Sequence, residues 1–345
     1  MIKYLLRKII AGVDLQEIEA QQLMEEITEG RATDAQIASV LTALKLKGET
    51  VDEITGFARV LRRKATPVTS RHPLLLDTCG TGGDGANTFN ISTAAALVVA
   101  GAGAKVAKHG NKSVSSRCGS ADVLAALGVK IDLEPKDLSL CLDEVGIAFL
   151  YAPLLHQGMK RVAIPRRELG FRTVFNILGP LTNPAGAGAQ VVGVYSPDLV
   201  EKVAQVLKRL GVKRAYVVYG AGGLDEVSPL GPSQISEVQG EKVLSYRLDP
   251  GDYRIFATSL ADLEGGDALE NAGIILRIFE GEQGPRRDAV VMNAALGLTA
   301  AGLADTMEAG MNMAARCIDE GKAMEKLQEL IDFTNQCGSR KEAAL

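Results

Sequence analysis

The stretch GTGGDG, Gly80 to Gly85, follows the apolar run LLLDT and has the letters of a dinucleotide fingerprint. Glycines let a backbone approach a ligand closely. A helix predicted to begin near Ile91 would aim free N–H groups and the positive end of its dipole at an anion. Asn90, Ser92 and Thr93 surround that helix start. A nicotinamide dinucleotide site needs an acidic residue about 20 positions further on, at the end of the second strand, to grip ribose hydroxyls. Here the second strand, AKVAKHGN, ends in Lys108 and His109. A Walker loop fails too, because no Gly-Lys-Ser/Thr follows the glycines. The fingerprint match is accidental, and two readings stay open: a cradle for other phosphates, or a tight turn capped by Asn90 or Ser92. Asp84 would repel phosphate; it makes sense against a sugar hydroxyl or a metal-bound water.

A second stretch, KHGNKSVSSRCGSADVLAALG, puts Lys108 at a strand end, then a glycine, an asparagine and several hydroxyls, with Ser120 predicted to cap the next helix. Two such strand-to-helix transitions lie side by side at the carboxyl edge of a parallel sheet, where open α/β sheets bind ligands. Lys108 is then a candidate phosphate partner, the plain alternative being an exposed lysine without a role.

These loops need a sheet to carry them. Before it, the first ~70 residues repeat one start signal: Asp14 with Glu17, Thr33 with Gln36 and Thr50 with Glu53 each resemble a capping box. Gly30 and Gly48 stand where the second and third helices should stop. This predicts a small helical domain over 1–70, ending at a linker in TPVTSRHP. From Leu74 short apolar runs (LLLDT, AKVAK, IAFLYA, QVVGVY, AYVVYG) alternate with helical stretches. That alternation predicts a mainly parallel sheet flanked by helices in an α/β domain over 74–345. The C-terminal third reads as helix.

A length of 345 residues fits two domains, and 46% hydrophobic residues supply their cores. A net charge of -4, no tryptophan and 4% aromatics exclude a nucleic-acid footprint and a base-stacking platform. No apolar run reaches the ~20 residues of a membrane span. The start, MIKYLLRKII, has basic residues inside its apolar stretch and reads as an amphipathic helix, not a signal peptide. A cytoplasmic location is expected. Five cysteines without a CxxC pair read as reduced structural thiols, and three widely spaced histidines predict no zinc site.

DTCGTGGDG…NTFNIST, KHGNKSVSS…GSADVLAALG, RRELGFRTVFNILGPLTNPA and GLDEVSP, in that order, resemble the anthranilate phosphoribosyltransferase family. The resemblance spans nearly the whole chain. It implies a helical domain, completed by helices from about 165–185, beside a large α/β domain of the nucleoside phosphorylase/phosphoribosyltransferase class. It implies a reaction in which the amine of anthranilate attacks C1 of 5-phosphoribosyl 1-diphosphate (PRPP) and releases pyrophosphate, in L-tryptophan biosynthesis. It also implies Mg²⁺, as two ions, and a homodimer joined through the helical domain. Whether an amidotransferase subunit binds is left open.

Position by position, the resemblance assigns Gly80, Gly83, Asp84 and Thr88 to the PRPP loop, extended by Asn90, Ile91, Ser92 and Thr93. Lys108, His109, Gly110, Asn111, Lys112, Ser113, Val114, Ser115 and Ser116 match the second phosphate stretch, with Ser120 beside it. Gly80, Asn111 and Arg166 match anthranilate-binding positions. Ser92, Asp225 and Glu226 match metal ligands. In GLDEVSP two adjacent carboxylates follow a predicted strand, and in a loop both can converge on one cation; the plain alternative is a solvated acidic turn. Arg166 suits a bidentate carboxylate grip, its rival being a salt bridge with Glu168 or another acid. No acid–base residue is required, and neither His109 nor His156 is expected to take a proton. Three positions depart from the family pattern: HQGM at His156–Met159, Pro165, and Ala125. The first two bear on the anthranilate pocket. A pyrimidine nucleoside phosphorylase is the nearest rival, disfavoured by the acidic pair and the second phosphate stretch. A nucleic-acid-binding relative of this fold is disfavoured by the acidic net charge.

Overall fold

In the computed structural model, which describes residues 1–113, 117–255 and 259–342 with side chains through Cys337, the chain opens with four helices. They are α1 (Ile2–Ile10), α2 (Glu17–Thr28), α3 (Asp34–Lys47) and α4 (Val51–Lys64). Thr33 Oγ1 accepts from the Gln36 N–H at 3.2 Å and Gln36 Oε1 from the Thr33 N–H at 3.0 Å, which starts α3. Thr50 and Glu53 close the same box at 3.2 and 2.9 Å and start α4. The expected cap at Asp14 does not form. Leu15 turns into the core, 1% exposed, so the helix begins two residues later. Gln16 sits at its cap and donates its N–H to Glu19 at 3.0 Å, while Asp14 pairs with Lys47 at 2.6 Å. Gly48, at φ 85, ends α3.

The remaining elements alternate: β1 (Leu76–Gly80), α5 (Ile91–Gly101), β2 (Val106–Gly110), α6 (Ser120–Ala126), α7 (Pro135–Glu144), β3 (Ile147–Tyr151) and the short α8 (Ala152–Leu155). Then come α9 (Lys160–Leu169), α10 (Val174–Leu178), β4 (Ala189–Gly193), α11 (Leu199–Arg209) and β5 (Arg214–Tyr219). A hairpin, β6 (Ser233–Gln239) and β7 (Lys242–Leu248), precedes α12 (Ala268–Phe279), α13 (Pro285–Ala300), α14 (Met307–Asp319) and α15 (Lys322–Glu342). The sheet order is β3-β2-β1-β4-β5-β6-β7. The first five strands in that order are parallel, and β6 and β7 extend them antiparallel. The sequence reading missed this hairpin.

Because β2 and β4 flank β1, successive crossovers run outward in opposite directions from the β1–β4 pair. That is the switch point at which α/β sheets open a crevice beyond their carboxyl ends. One face of the sheet is covered by α5, buried along almost its whole length beneath α13 and α15. The other face, with Val192, Val194 and Val217, shares an apolar core with α11 and with α1 to α4. Val162 of α9 and Val174, Phe175, Ile177 and Leu178 of α10 belong to that same core. Among the described residues no helix is long and apolar enough to cross a membrane.

Candidate active site

The glycine loop leaves β1 at Gly80 and runs to Asn90. Gly82, Gly83 and Gly85 all take positive φ, at 63, 72 and 79°, backbone that a side chain would strain. Gly80 is glycine for a different reason: a β-carbon there would strike the Asp225 carboxylate. Asp225 Oδ2 in turn accepts the Gly82 N–H at 2.8 Å. The loop after β5 is thus folded back onto the loop after β1, although 143 residues separate them.

This contact brings Asp84, Asp225 and Glu226 together, with one ligand oxygen from each lying within 4.8 Å of the others. Burial and then the neighbouring Asp84 push Asp225 up to about 6, and burial with Asp225 raises Glu226 well above the usual carboxylate range. Asp84 Oδ2 and Glu226 Oε2 are buried without a hydrogen-bond partner. Three clustered carboxylates, two of them with an orphaned oxygen, suit a hard cation, which takes carboxylate oxygens readily. Ser92 lines the same small cavity as Asp225 and Glu226.

Lys108 is buried, 3% exposed, and its Nζ donates to the Thr78 carbonyl at 2.5 Å and towards Ser92 Oγ at 3.4 Å. Burial lowers its pKa, and Asp77 opposes the shift. Asp77 itself was not singled out from the sequence. It lies fully buried in β1, pushed up to about 6 by burial, and accepts from Asn183 Nδ2 at 2.8 Å and the His109 N–H at 3.1 Å. The signal was available as a lone acid inside LLLDT.

At the start of α5, Asn90 occupies the cap position, Ile91 is fully buried, and Thr93 has a buried hydroxyl with no partner. Thr88 bridges to Glu264. In the second loop Gly110 packs against Ser120 and Phe149, leaving no room for a β-carbon. Asn111 is exposed, and its carbonyl accepts from the Ala121 N–H at 3.1 Å; Lys112 is exposed beside it. Ser113 and Gly119 both donate N–H groups to Asp122 Oδ2, at 3.0 and 2.9 Å. Ser120 does not cap α6 as expected. Gly119 holds that position because Asp122 takes its N–H, and Ser120 Oγ turns to the Asn111 carbonyl at 3.3 Å. Val114, Ser115 and Ser116 lie outside the described residues.

Arg166 sits in the last turn of α9 with its guanidinium 5.5 Å from the centre of the Phe175 ring. Burial lowers its pKa, and among the described residues it has no carboxylate partner, so the pairing with Glu168 does not form. His109 and His156 are buried with ring centres 5.0 Å apart. Burial drives them down to about 3 and about 4, so both are neutral near pH 7. Two further asparagines escaped the sequence reading. Asn271 joins Asn90, and Asn293 grips Val227 by N–H and carbonyl, each at 2.9 Å.

The chain matches the models for the glycosyl transferase family a/b domain over residues 72–324 and its helical bundle domain over residues 3–65. It is 62% identical to an anthranilate phosphoribosyltransferase of Pelotomaculum thermopropionicum over 340 residues, 98% of this chain and 99% of that protein. It is 58% identical to the one from Moorella thermoacetica over 331 residues, 96% of this chain and 98% of that protein. Among solved structures, anthranilate phosphoribosyltransferase from Thermus thermophilus superposes with a TM-score of 0.91 at 42% identity, covering 96% of this chain and 99% of the other. The Saccharomyces cerevisiae enzyme in complex with PRPP and Mg gives a TM-score of 0.88 at 28% identity, covering 97% and 98%.

Proposed function

The chain belongs to the anthranilate phosphoribosyltransferase family, and on that footing we propose how its residues share the work. The reaction transfers the phosphoribosyl group of PRPP to the amine of anthranilate, giving N-(5-phosphoribosyl)anthranilate and pyrophosphate, in L-tryptophan biosynthesis. The observation that carries the reading is the Asp84, Asp225 and Glu226 cluster beside the glycine loop, with its orphaned oxygens.

PRPP lies over Gly80, Gly83, Asp84 and Thr88, with its phosphates towards the N-terminus of α5 at Asn90 to Thr93 and towards Lys108 to Ser116. Helix N–H groups and the Lys108 ammonium offset charge on those phosphates. Magnesium, as two ions held by Asp225, Glu226 and Ser92 with Asp84 alongside, supplies the charge neutralisation that makes diphosphate a good leaving group. The chain's own residues supply position and a preformed field. Arg166 holds the anthranilate carboxylate, with Asn111 and Gly80 at the same subsite. Among the described residues no acid pairs with Arg166, which leaves its guanidinium available for that carboxylate. The aromatic amine is already neutral at pH 7, so no side chain need remove a proton before attack. Neutral His109 and His156 shape the pocket rather than relay protons.

The same proposal includes a helical body over 1–70 completed by helices between 165 and 185, and an α/β body from 74. The limits of the two family models and the packing of α9 and α10 against α2, α3 and α4 support it. It also includes a cytoplasmic homodimer joined through the helical body.

The test follows anthranilate fluorescence in purified protein with PRPP and Mg²⁺, beside an EDTA control. Magnesium-dependent loss of fluorescence is expected. Constant fluorescence with PRPP still bound would overturn the acceptor and leave the donor.

A further inference from the structure

Asn271 stands in the first turn of α12 and is 1% exposed. Its Oδ1 accepts the Gly266 N–H at 2.8 Å, and its Nδ2 donates to Asn90 Oδ1 at 2.9 Å. Asn90 Nδ2 then donates to the Cys118 carbonyl at 3.2 Å. The relay has a direction. It begins on a main-chain donor and ends on a main-chain acceptor, so turning either amide over would set donor against donor or acceptor against acceptor. Both side chains are therefore fixed in one orientation.

Its three anchor points belong to three segments: the turn before α12, the start of α5 and, at Cys118, the end of the second loop just before α6. The first two are also joined by main chain. Phe89 donates to the Leu263 carbonyl at 3.0 Å and Gly265 to the Asn87 carbonyl at 2.9 Å. A β-carbon on Gly265 would lie 2.5 Å from Asn271 Oδ1 and 2.7 Å from the Phe89 α-carbon, so the segments touch without slack.

We propose that Asn271 is a positioning residue for the PRPP site: it touches no substrate, but sets the Asn90 amide and thereby the distance between the α5 N-terminus and the second loop. This rests on the donor assignment above. A buried hydrogen-bond partner left unsatisfied costs enough to move affinity by about tenfold, and here the loss falls on PRPP because both loops face it.

The test compares Asn271→Ala and Asn271→Asp with the natural protein. Asp keeps the shape and the Gly266 contact but cannot donate to Asn90. If the Asn90 amide turned to donate instead, its oxygen would face the Cys118 carbonyl. Both variants are expected to raise the KM for PRPP about tenfold, to weaken calorimetric binding of PRPP with Mg²⁺ equally, and to leave the KM for anthranilate within about twofold. Recovery of PRPP affinity in Asn271→Asp overturns the proposal, because it makes Asn271 a matter of volume. So do an unchanged PRPP affinity in both variants and a failure of both to fold. A natural protein that neither binds PRPP nor turns over defeats the donor assignment instead.

Discussion

Gly193, at the end of β4, has the main-chain carbonyl of Asp225 lying where its β-carbon would be. The loop that carries the acidic pair is therefore seated on the sheet by backbone contact, and Gly220 meets the carbonyl of Glu226 in the same way. Asn293 fastens the next residue, Val227. Two of the three clustered carboxylates, Asp225 and Glu226, are thus seated by backbone contact against the sheet.

Gly193→Ala must lift that loop, since the obstacle is backbone and cannot swing aside. A displacement of about 1 Å at a site of this kind costs on the order of 10²-fold in rate. The expected result is a fall in kcat/KM of that size with a raised Mg²⁺ requirement, read by titrating Mg²⁺ at saturating PRPP. A variant with natural Mg²⁺ dependence would show that the seat of the loop does not matter.

Arg166→Lys keeps the charge and loses the planar fork. If Arg166 grips the anthranilate carboxylate at two points, the KM for anthranilate rises about tenfold while that for PRPP stays level. Steady-state kinetics with each substrate varied in turn separates the two. Equal rises in both values would place Arg166 in the frame between the bodies and not at the acceptor.

How much of this can be read from the sequence depends on whether the signal is local. The five parallel strands are legible because each is a short apolar run between turn residues. The β6–β7 hairpin is not, because Ser233 and Ser236 occupy inward positions and β7 is an edge strand that buries little. Thr33 and Thr50 announce their helices within four residues, whereas Asp14 is displaced by the burial of Leu15, a tertiary effect. The glycine loop and Lys108 are visible as types at the right strand ends. The partner of Asp84 is not, since Asp225 comes from the loop between β5 and β6, on the far side of β4. Asn271 and Asn293 are single amides in apolar helices, and nothing in their spacing says which backbone they hold.

The paired histidines make stability depend on pH. Both are depressed by burial, His109 from 6.5 to about 3 and His156 from 6.5 to about 4. A depressed histidine favours the fold in its neutral form. Its contribution is complete above the unfolded value of 6.5 and is lost as pH falls through 6.5 towards the folded value. For His156 this amounts to on the order of 3 kcal/mol. Thermal melts of the natural protein should lose stability steadily from pH 6.5 to 4. His156→Gln, which cannot charge, should flatten that limb, and an unaltered slope would remove His156 as its source.

The helical body exposes Met1, Tyr4, Ile10, Val13, Ile18 and Leu46, between 48% and 83% each. Large apolar side chains grouped on α1, the turn after it, the start of α2 and the end of α3 are costly against water and mark a contact surface when contiguous. If this surface joins two copies, each copy buries the same residues against its partner, and one charge is introduced on both sides of the symmetry axis at once. Ile10→Asp should therefore shift the protein from dimer to monomer in light scattering and lower its melting temperature, while the isolated subunit keeps PRPP binding because every proposed donor residue lies in the α/β body. A natural protein that sediments as a monomer at micromolar concentration removes the homodimer from the reading. A dimer unmoved by Ile10→Asp keeps the homodimer and sends its interface to another face.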